Sequence, residues 1–204
     1  MAGNVSTPHV AVYDIAMGQW QSIGGLDSTV RAFAVYNNEV YAGGDFAGFV
    51  SKWNGSAWQD IAQGFLYGEG VRTLEVWDNK LVIGGNFELA TGAPRKHVAA
   101  YDGTYMVNVG FGTLTPVNDF EIHQNKLFAA CDFVSGTDTC ALAVFDIAYV
   151  DWIVDVSSGN SSNVISYLGG NAFRHIISWA GSILAAGDFY CGLGLTEGSG
   201  LAQI

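Results

Sequence analysis

The sequence has little charge, and most of what it has is negative. Eight lysines and arginines stand against nineteen aspartates and glutamates in 204 residues, for a formal net charge of −11. An acidic chain repels nucleic acid and anionic membrane surfaces, so neither is an expected partner. No run approaches the roughly 20 apolar residues of a membrane-spanning helix. The N-terminal segment MAGNVSTPHVAVYD lacks a basic head and a hydrophobic centre, so it does not resemble a signal peptide.

Cysteine and proline are scarce, with three residues of each. Three cysteines are too few for a disulfide scaffold, and their number is odd. Cys131 and Cys140 are close enough in sequence to bridge one hairpin, whereas buried thiols are the commoner state of such residues. We expect buried thiols, including Cys191, and leave the single disulfide as the alternative.

Apolar and aromatic side chains are abundant instead. Half of the residues are hydrophobic, 13% are aromatic and 27 are glycine. A chain of this length and composition is expected to fold as one large domain that buries about 70% of its unfolded surface. Intrinsic disorder is excluded, because disordered chains are poor in aromatic and branched apolar residues.

A short motif occurs four times, first as AGGDF at 42–46. It returns after 41, 46 and 56 residues as IGGNF, AACDF and AAGDF. An apolar run precedes each copy and is divided by a two-residue turn of the kind that tolerates positive φ angles. Each run therefore predicts two short antiparallel strands. The four turns are Asn37-Asn38, Asp78-Asn79, Gln124-Asn125 and Ala180-Gly181.

A second hairpin accompanies each of the first ones. Its strands alternate apolar with polar or small residues, and Asn54-Gly55 and Asp102-Gly103 are strong turn pairs. Repeated units of four strands are typical of a β-propeller. We therefore predict an all-β fold over 1–204: a propeller of four blades, each of four antiparallel strands. The outer hairpin spans 9–23, and the blade units span about 28–61, 71–109, 117–156 and 173–204.

The paired glycines of the motif have a physical explanation in such a fold. Gly43-Gly44 and Gly84-Gly85 end a strand that is expected to pass close to other backbone, where a Cβ atom would collide. The other two copies have only alanine, cysteine or glycine at these positions, which indicates that little space is available.

The unit VRAFAVYNNEVYAGGDF, followed by FVSKWNGSAWQDI, resembles the kelch-related propeller repeats of large bacterial and fungal surface proteins. It is similar, less specifically, to the kelch and galactose-oxidase propellers. The resemblance covers nearly the whole chain, although the first unit has a short loop at Ala47-Gly48 and the third has Cys131 in place of a glycine. It implies a propeller fold and a binding or adhesive role, without an enzymatic activity.

The two ends of the chain predict how a ring would close. The hairpin at 9–23 has no preceding partner hairpin, and LAQI at 201–204 resembles the start of one further outer hairpin. The ring is therefore expected to be closed by the N-terminal hairpin or by a neighbouring copy. LAQI would then add as an edge strand, pair with another copy, or belong to a longer array.

Two sets of polar residues recur with the repeat. The motif carries Asp45, Asn86, Asp132 and Asp188. These side chains either form a ring of oxygen ligands for Ca²⁺ or accept hydrogen bonds from backbone amides of their own turns. Asn86 has no charge, which favours the second interpretation. Arginines stand fourteen residues earlier in three units, with asparagine in the third. We expect Arg–Asp pairs within or between blades, with an anion or sugar-carboxylate site as the alternative. The second set is Arg31, Arg72, Asn118 and Arg174.

No catalytic motif is present in the sequence. The four histidines lack metal-binding spacing, His9 and His97 are repeat equivalents, and there is no nucleophile elbow, phosphate-binding loop or CxxC pair. We therefore expect neither an enzyme nor a cofactor or metal. A hydrolase that uses carboxylates of the central channel is a minor alternative.

Function is then expected in the connections, which vary while the strands act as scaffold. The loops at 64–70, 88–96, 157–172 and 190–200 stand out, and the first has an apolar tip that is suited either to a partner or to local packing. The binding candidates are Phe65, Leu66, Tyr67, Arg95, Lys96 and Tyr190.

Three tryptophans at one strand position, Trp20, Trp58 and Trp152, are interpreted as core between blades rather than as sugar-stacking platforms. The leading hypothesis is a non-enzymatic interaction or structural module of a surface assembly, either extracellular or on a virion. Its partners would be other protein subunits in a homo-oligomer or larger assembly. A carbohydrate-binding propeller lectin is the alternative.

Overall fold

A computed structural model of the chain describes residues 6–61, 65–89, 96–107, 109–110, 112–113, 115–132, 142–146, 151–154, 168–191 and 201–203. These residues form β-strands, turns and connections without a helix, so the predicted all-β class is confirmed. No helix capable of crossing a membrane occurs within these ranges. The described residues include seventeen strands: β1 (Val12–Asp14), β2 (Gln19–Gln21), β3 (Val30–Tyr36), β4 (Glu39–Gly44), β5 (Val50–Trp53), β6 (Trp58–Asp60), β7 (Phe65–Trp77), β8 (Lys80–Leu89), β9 (Lys96–Tyr101), β10 (Met106–Val107), β11 (Val117–His123), β12 (Lys126–Cys131), β13 (Leu142–Asp146), β14 (Asp151–Val154), β15 (Leu168–Trp179), β16 (Ser182–Cys191) and β17 (Leu201–Gln203).

The strands form antiparallel sheets that follow the sequence repeat. Three sheets have four strands each, in the orders β3-β4-β5-β6, β7-β8-β9-β10 and β11-β12-β13-β14. A fourth sheet has three strands, β15-β16-β17, and β1 pairs with β2 in a small sheet of its own. We number the four larger sheets 1 to 4 in chain order. Four-stranded units are thus observed in sheets 1 to 3, and sheet 4 departs from the expected count.

The repeated turns have the backbone geometry that their residues predict. Asn37 and Asn38 have φ angles of 50° and 62°, and the three equivalent turns are also left-handed at both positions. Such turns match the right-handed twist of paired strands. Each turn joins the first two strands of its sheet, as expected from the sequence.

Successive sheets pack face to face through apolar side chains. Tyr36 and Tyr41 of sheet 1 share a buried cluster with Leu74, Leu81 and Ile83 of sheet 2. A second cluster joins sheet 2 to sheet 3 and includes Trp77, Val82, Phe120 and Leu127. Since alternate residues of a strand point to opposite faces, each sheet has a forward face toward the next sheet and a backward face toward the preceding one.

The glycine prediction is confirmed, with different neighbours at the two positions. A Cβ on Gly44 would lie 2.1 Å from the carbonyl oxygen of Thr29, which is backbone. A Cβ on Gly84 would lie 2.7 Å from the ring of Phe120 in the next sheet. The first glycine of each pair therefore allows sheets to approach, and the second allows the chain to pass its own partner strand.

The chain ends differ from the expected ring closure by the N-terminal hairpin. β17 pairs with β16 over Leu201 to Gln203, so it takes the third place in sheet 4 as an edge strand. β1 and β2 pair only with each other among the described strands. The N-terminal segment instead packs Val10 and Leu26 against Ala42 and Phe46 of the first unit.

Candidate functional site

The first strands of the four sheets converge on a polar pocket. β3 contacts β7, β7 contacts β11, and β11 contacts β15. The pocket has a volume of about 530 Å³, and the four repeat-equivalent residues with a guanidinium or amide group all line it. The repeat therefore delivers one such polar side chain from each sheet to a common space. The lining residues are Thr29, Val30, Arg31, Asp45, Glu69, Arg72, Asn118, Arg174 and His175.

Arg31 forms a pair within sheet 1. Its Nε and Nη2 atoms each donate to Asp45 over 2.7 Å, one to each carboxylate oxygen. This two-point geometry suits the planar guanidinium group, and the hydrogen bond to Asp45 raises the pKa of Arg31. About half of the arginine side chain is exposed, so the pair lies at the edge of the pocket.

Arg72 makes the corresponding contact between sheets. Its Nη1 donates to Asn118 over 2.7 Å and to Asp132 over 2.9 Å, both in the third unit, and its Nη2 lies 3.4 Å from Glu69. Asn118 in turn donates to Asp132 over 2.9 Å and to the carbonyl oxygen of Phe173 over 2.7 Å. This network connects sheets 2, 3 and 4.

Arg174 completes the set with weaker contacts. Its Nη2 lies 3.3 Å from Asp188 in its own unit, and its Nη1 lies 3.7 Å from Asp132 of the preceding unit. Asp132 is therefore shared by Arg72 and Arg174. The prediction of Arg–Asp pairs within and between units is confirmed.

The pairing determines what the pocket can do. Each described arginine that lines it has a carboxylate partner, so the guanidinium charges are already compensated. Within the described ranges, no group of three His, Cys, Asp or Glu side chains is placed to hold a metal ion. An arrangement of this kind joins neighbouring sheets and leaves polar groups at the edge of the pocket.

Asp119 is a half-buried polar residue that the sequence repeat did not single out. It follows Asn118 and accepts hydrogen bonds from the amides of Phe120, at 3.0 Å, and of Ile176 in the next sheet, at 3.1 Å. Burial raises its pKa, and these amides together with the nearby His175 oppose the rise. The sequence feature that could have identified Asp119 is a carboxylate within the otherwise largely apolar pattern of β11.

The predicted loop residues lie on strands where the structure describes them. Phe65, Leu66 and Tyr67 belong to β7, where Phe65 pairs with Leu89 and Tyr67 with Glu88. This corrects the predicted loop tip, because the hairpin continues past the glycines at 68 and 70 through two register shifts. Both glycines have positive φ angles, which such irregular ladders favour.

Of the remaining binding candidates, Lys96 and Tyr190 lie on described strands. Lys96 begins β9 and forms an ion pair of 2.5 Å with Glu88 on the neighbouring strand. Tyr190 lies in β16, opposite Gly169, and not in a loop. Arg95, most of the loops at 88–96 and 157–172, and Cys140 lie outside the described residues, whereas Cys131 is buried with its Sγ atom 3.6 Å from the carbonyl oxygen of Ala129.

The histidines at repeat positions have a backbone role. His9, Phe49 and His97 are equivalent, and all three have φ angles between 60° and 70° where an outer strand begins. Burial lowers the pKa of His97 to about 4, with a smaller contribution from Lys96. His97 is therefore neutral at pH 7 and is part of the packing beside Gly85.

The tryptophans form cross-strand pairs, and of the two described side chains only Trp58 packs against a buried cluster, the one that joins the N-terminal segment to the first unit. Trp20 lies opposite Tyr13 with ring centroids 5.3 Å apart, and Trp58 lies opposite Trp53 at 5.5 Å. Trp20 is exposed and Trp58 is half-buried. Their position on short outer strands explains this exposure, because the cores between sheets lie around the inner strands. The side chain of Trp152 lies outside the described residues.

Two apolar sheet faces are exposed at opposite ends of the row of sheets. On the backward face of sheet 1, Phe33 is 55% and Val35 is 66% exposed, and Val40 is exposed beside them. On the forward face of sheet 4, Ile177 and Trp179 are 59% and 63% exposed. Contiguous exposed apolar groups on a folded protein mark contact surfaces more often than scattered ones do. We call these two surfaces the leading face (sheet 1) and the trailing face (sheet 4).

Comparisons with protein-family models and with curated proteins found no match to this chain.

Proposed function

We propose that the chain is a non-enzymatic interaction module of a surface assembly, built as a kelch-like β-propeller with four blades. The observation that carries the proposal is the pair of exposed apolar faces at the two ends of the row of sheets. A module that binds other protein subunits through these faces would bury side chains that water otherwise contacts.

Three observations support the propeller architecture. The four sheets repeat one strand order, neighbouring sheets pack face to face, and the first strands of all four sheets lie side by side around one pocket. In a propeller the first strands of the blades surround the central channel. The Arg–Asp network then lies along the channel and joins the blades.

The composition favours the role of a subunit that is partly covered by its neighbours over the role of an enzyme. Half of the residues are hydrophobic, yet only eight are basic, as expected when neighbours cover part of the surface. The arginines of the pocket have carboxylate partners, so they serve as connections within and between sheets rather than as a free anion site. An extracellular structure or a virion surface is the setting proposed for such a subunit.

Hydroxyl-radical footprinting tests the proposal with the chain in its native assembly. Phe33 and Trp179 are the reactive reporters of the two faces, and Tyr105, which is 71% exposed in the turn before β10, is the control. We expect Phe33, Trp179 or both to be labelled less in the native assembly than in the purified chain diluted until light scattering shows a monomer, with Tyr105 labelled equally in both. Equal labelling of both reporters in the two samples would overturn the proposed role.

A further inference from the structure

The leading face repeats a surface that is buried in every other sheet. Phe33 corresponds to Leu74, Phe120 and Ile176 in sheets 2, 3 and 4, and these are 7%, 4% and 5% exposed. Val40 likewise corresponds to Leu81, Leu127 and Ile183, which are all buried. In sheets 2 and 3 these residues pack against the forward face of the preceding sheet. Sheet 1 has the same apolar surface without a preceding sheet.

The trailing face is the matching half of the same contact. Trp179 corresponds to Tyr36 and Trp77, which are 3% and 7% exposed. The hydroxyl of Tyr36 donates to the carbonyl oxygen of Asn79 in the next sheet over 2.9 Å, and Trp77 packs edge-on against Phe145 of the next sheet, with ring centroids 5.4 Å apart. Trp179 occupies the equivalent place in sheet 4, where none of the described strands forms a following sheet and the side chain is 63% exposed.

The N-terminal segment covers only one part of the leading face. Val10 and Leu26 of this segment pack near Ala42, and Trp58 of sheet 1 itself approaches Phe33 with ring centroids 6.5 Å apart. Val35 nevertheless remains 66% exposed. The uncovered part is therefore the region around the β3–β4 hairpin, which is where the internal interfaces place their largest apolar side chains.

From this complementarity we infer that a second copy of the chain binds head to tail, with the trailing face of one copy packed on the leading face of the next. The contact continues the interface that already joins sheets 1 to 2 and 2 to 3 inside the chain. It is heterologous, because the two surfaces differ. Successive contacts of this kind close into a ring of copies if the rotation between them allows, and otherwise extend into an open filament.

This inference rests on the proposed interaction role, and it adds the identity of the partner. Two variants of the full-length chain separate the two surfaces: Val35→Asp places a charge on the leading face and Ile177→Asp places one on the trailing face. Ile15→Asp is the matched control, because Ile15 is 89% exposed in the turn between β1 and β2. Circular dichroism and urea unfolding of each variant establish that it is folded.

Light scattering of the purified chains gives the decisive result. The wild type and Ile15→Asp are expected to associate into a closed dimer or larger multiples at roughly 100 μM, a concentration suited to micromolar affinity. Val35→Asp and Ile177→Asp alone are expected to be monomers, with association weakened by at least about 30-fold. An equimolar mixture of the two is expected to form a dimer with one chain of each, because each variant retains the surface that the other has lost.

Other outcomes overturn the inference in distinguishable ways. A dimer of Val35→Asp alone or of Ile177→Asp alone, with no gain on mixing, would indicate a symmetric contact between like faces. A monomeric wild type whose Phe33 and Trp179 both resist radical labelling would indicate closure within one chain. A monomeric wild type with both residues labelled, but protected in the native assembly, would retain the proposed function and identify a different protein partner.

Discussion

Replacing Arg72 by methionine tests whether the polar network between the sheets contributes more to stability than an equivalent pair within one sheet. Methionine keeps much of the side-chain volume and removes the charge and all donors. Arg31→Met is the matched control, because Arg31 has the same position in the repeat and a carboxylate partner only in its own unit.

The expected difference follows from exposure and from the number of partners. Arg72 is 24% exposed and donates at 2.7 and 2.9 Å to two groups of the third unit. Hydrogen bonds to charged groups with this degree of burial contribute about 1.5–3 kcal/mol, so we expect Arg72→Met to cost about 2 kcal/mol. Arg31 is 49% exposed, and a pair as exposed as that contributes less than about 1 kcal/mol.

Equilibrium unfolding in urea, followed by tryptophan fluorescence, measures both variants. A double-mutant cycle with Asp132→Asn isolates the contact between Arg72 and its carboxylate partner, and we expect a coupling of about 1 kcal/mol in that cycle. A cycle between Arg31 and Asp45 should give a smaller coupling that falls with added salt, because that pair is more exposed.

The reasoning is refuted if Arg72→Met costs no more than Arg31→Met. A coupling near zero in the Arg72 cycle would contradict it as well. Either result would mean that the network is not a stabilising connection between the sheets, and the pocket would then have to be considered again as a site for a ligand.

Three further predictions concern packing and pH. Leu81→Ala should lower the free energy of unfolding in urea by about 2–5 kcal/mol, because Leu81 is fully buried. The equivalent change Val40→Ala should lower it by less than about 1 kcal/mol in the monomeric chain, because Val40 is exposed. Equal losses for the two variants would contradict the exposed leading face. Gly44→Ala should lower stability by about 1–3 kcal/mol, since its Cβ would lie 2.1 Å from the carbonyl oxygen of Thr29, and an unchanged urea midpoint would exclude that collision. The pKa of His97 is lowered to about 4, so between pH 6.5 and 4 the unfolded chain binds more protons than the folded chain, and stability falls as the pH falls through this window. Between pH 7 and 5, the wild type should therefore lose about 1–2 kcal/mol more unfolding free energy than His97→Asn. Equal losses in the two proteins would contradict the assignment.

The features of the fold that could be predicted are those that depend on residues close together in the sequence. Asn37-Asn38 and Asp78-Asn79 form left-handed hairpin turns because their side chains tolerate positive φ angles, whatever the rest of the chain does. The spacing of fourteen residues between Arg31 and Asp45 predicted their pair for the same kind of reason, since the two residues face each other across a single hairpin.

Other features depended on contacts between distant segments and were missed or wrong. Phe65 and Tyr67 were expected in a loop, but the ladder with β8 extends past two glycines. Trp20 and Trp58 were expected between sheets, although short outer strands place them at the surface or only half-bury them. The half-buried Asp119 has an uncharged or basic residue at its repeat equivalents, so repetition alone did not single it out.

The sequence by itself determined that this protein consists of repeated antiparallel strands, with their turns, their alternating faces and their recurring Arg and Asp residues, because all of these depend on interactions within one hairpin or one sheet. Only the tertiary structure decided which copies of the repeat are buried. Val40 and Leu81 occupy the same place in the pattern, yet one is exposed and the other is not, because burial depends on whether another sheet lies in front of the face. A repeat specifies a surface that needs a neighbour, and the arrangement in space determines where the neighbour is missing.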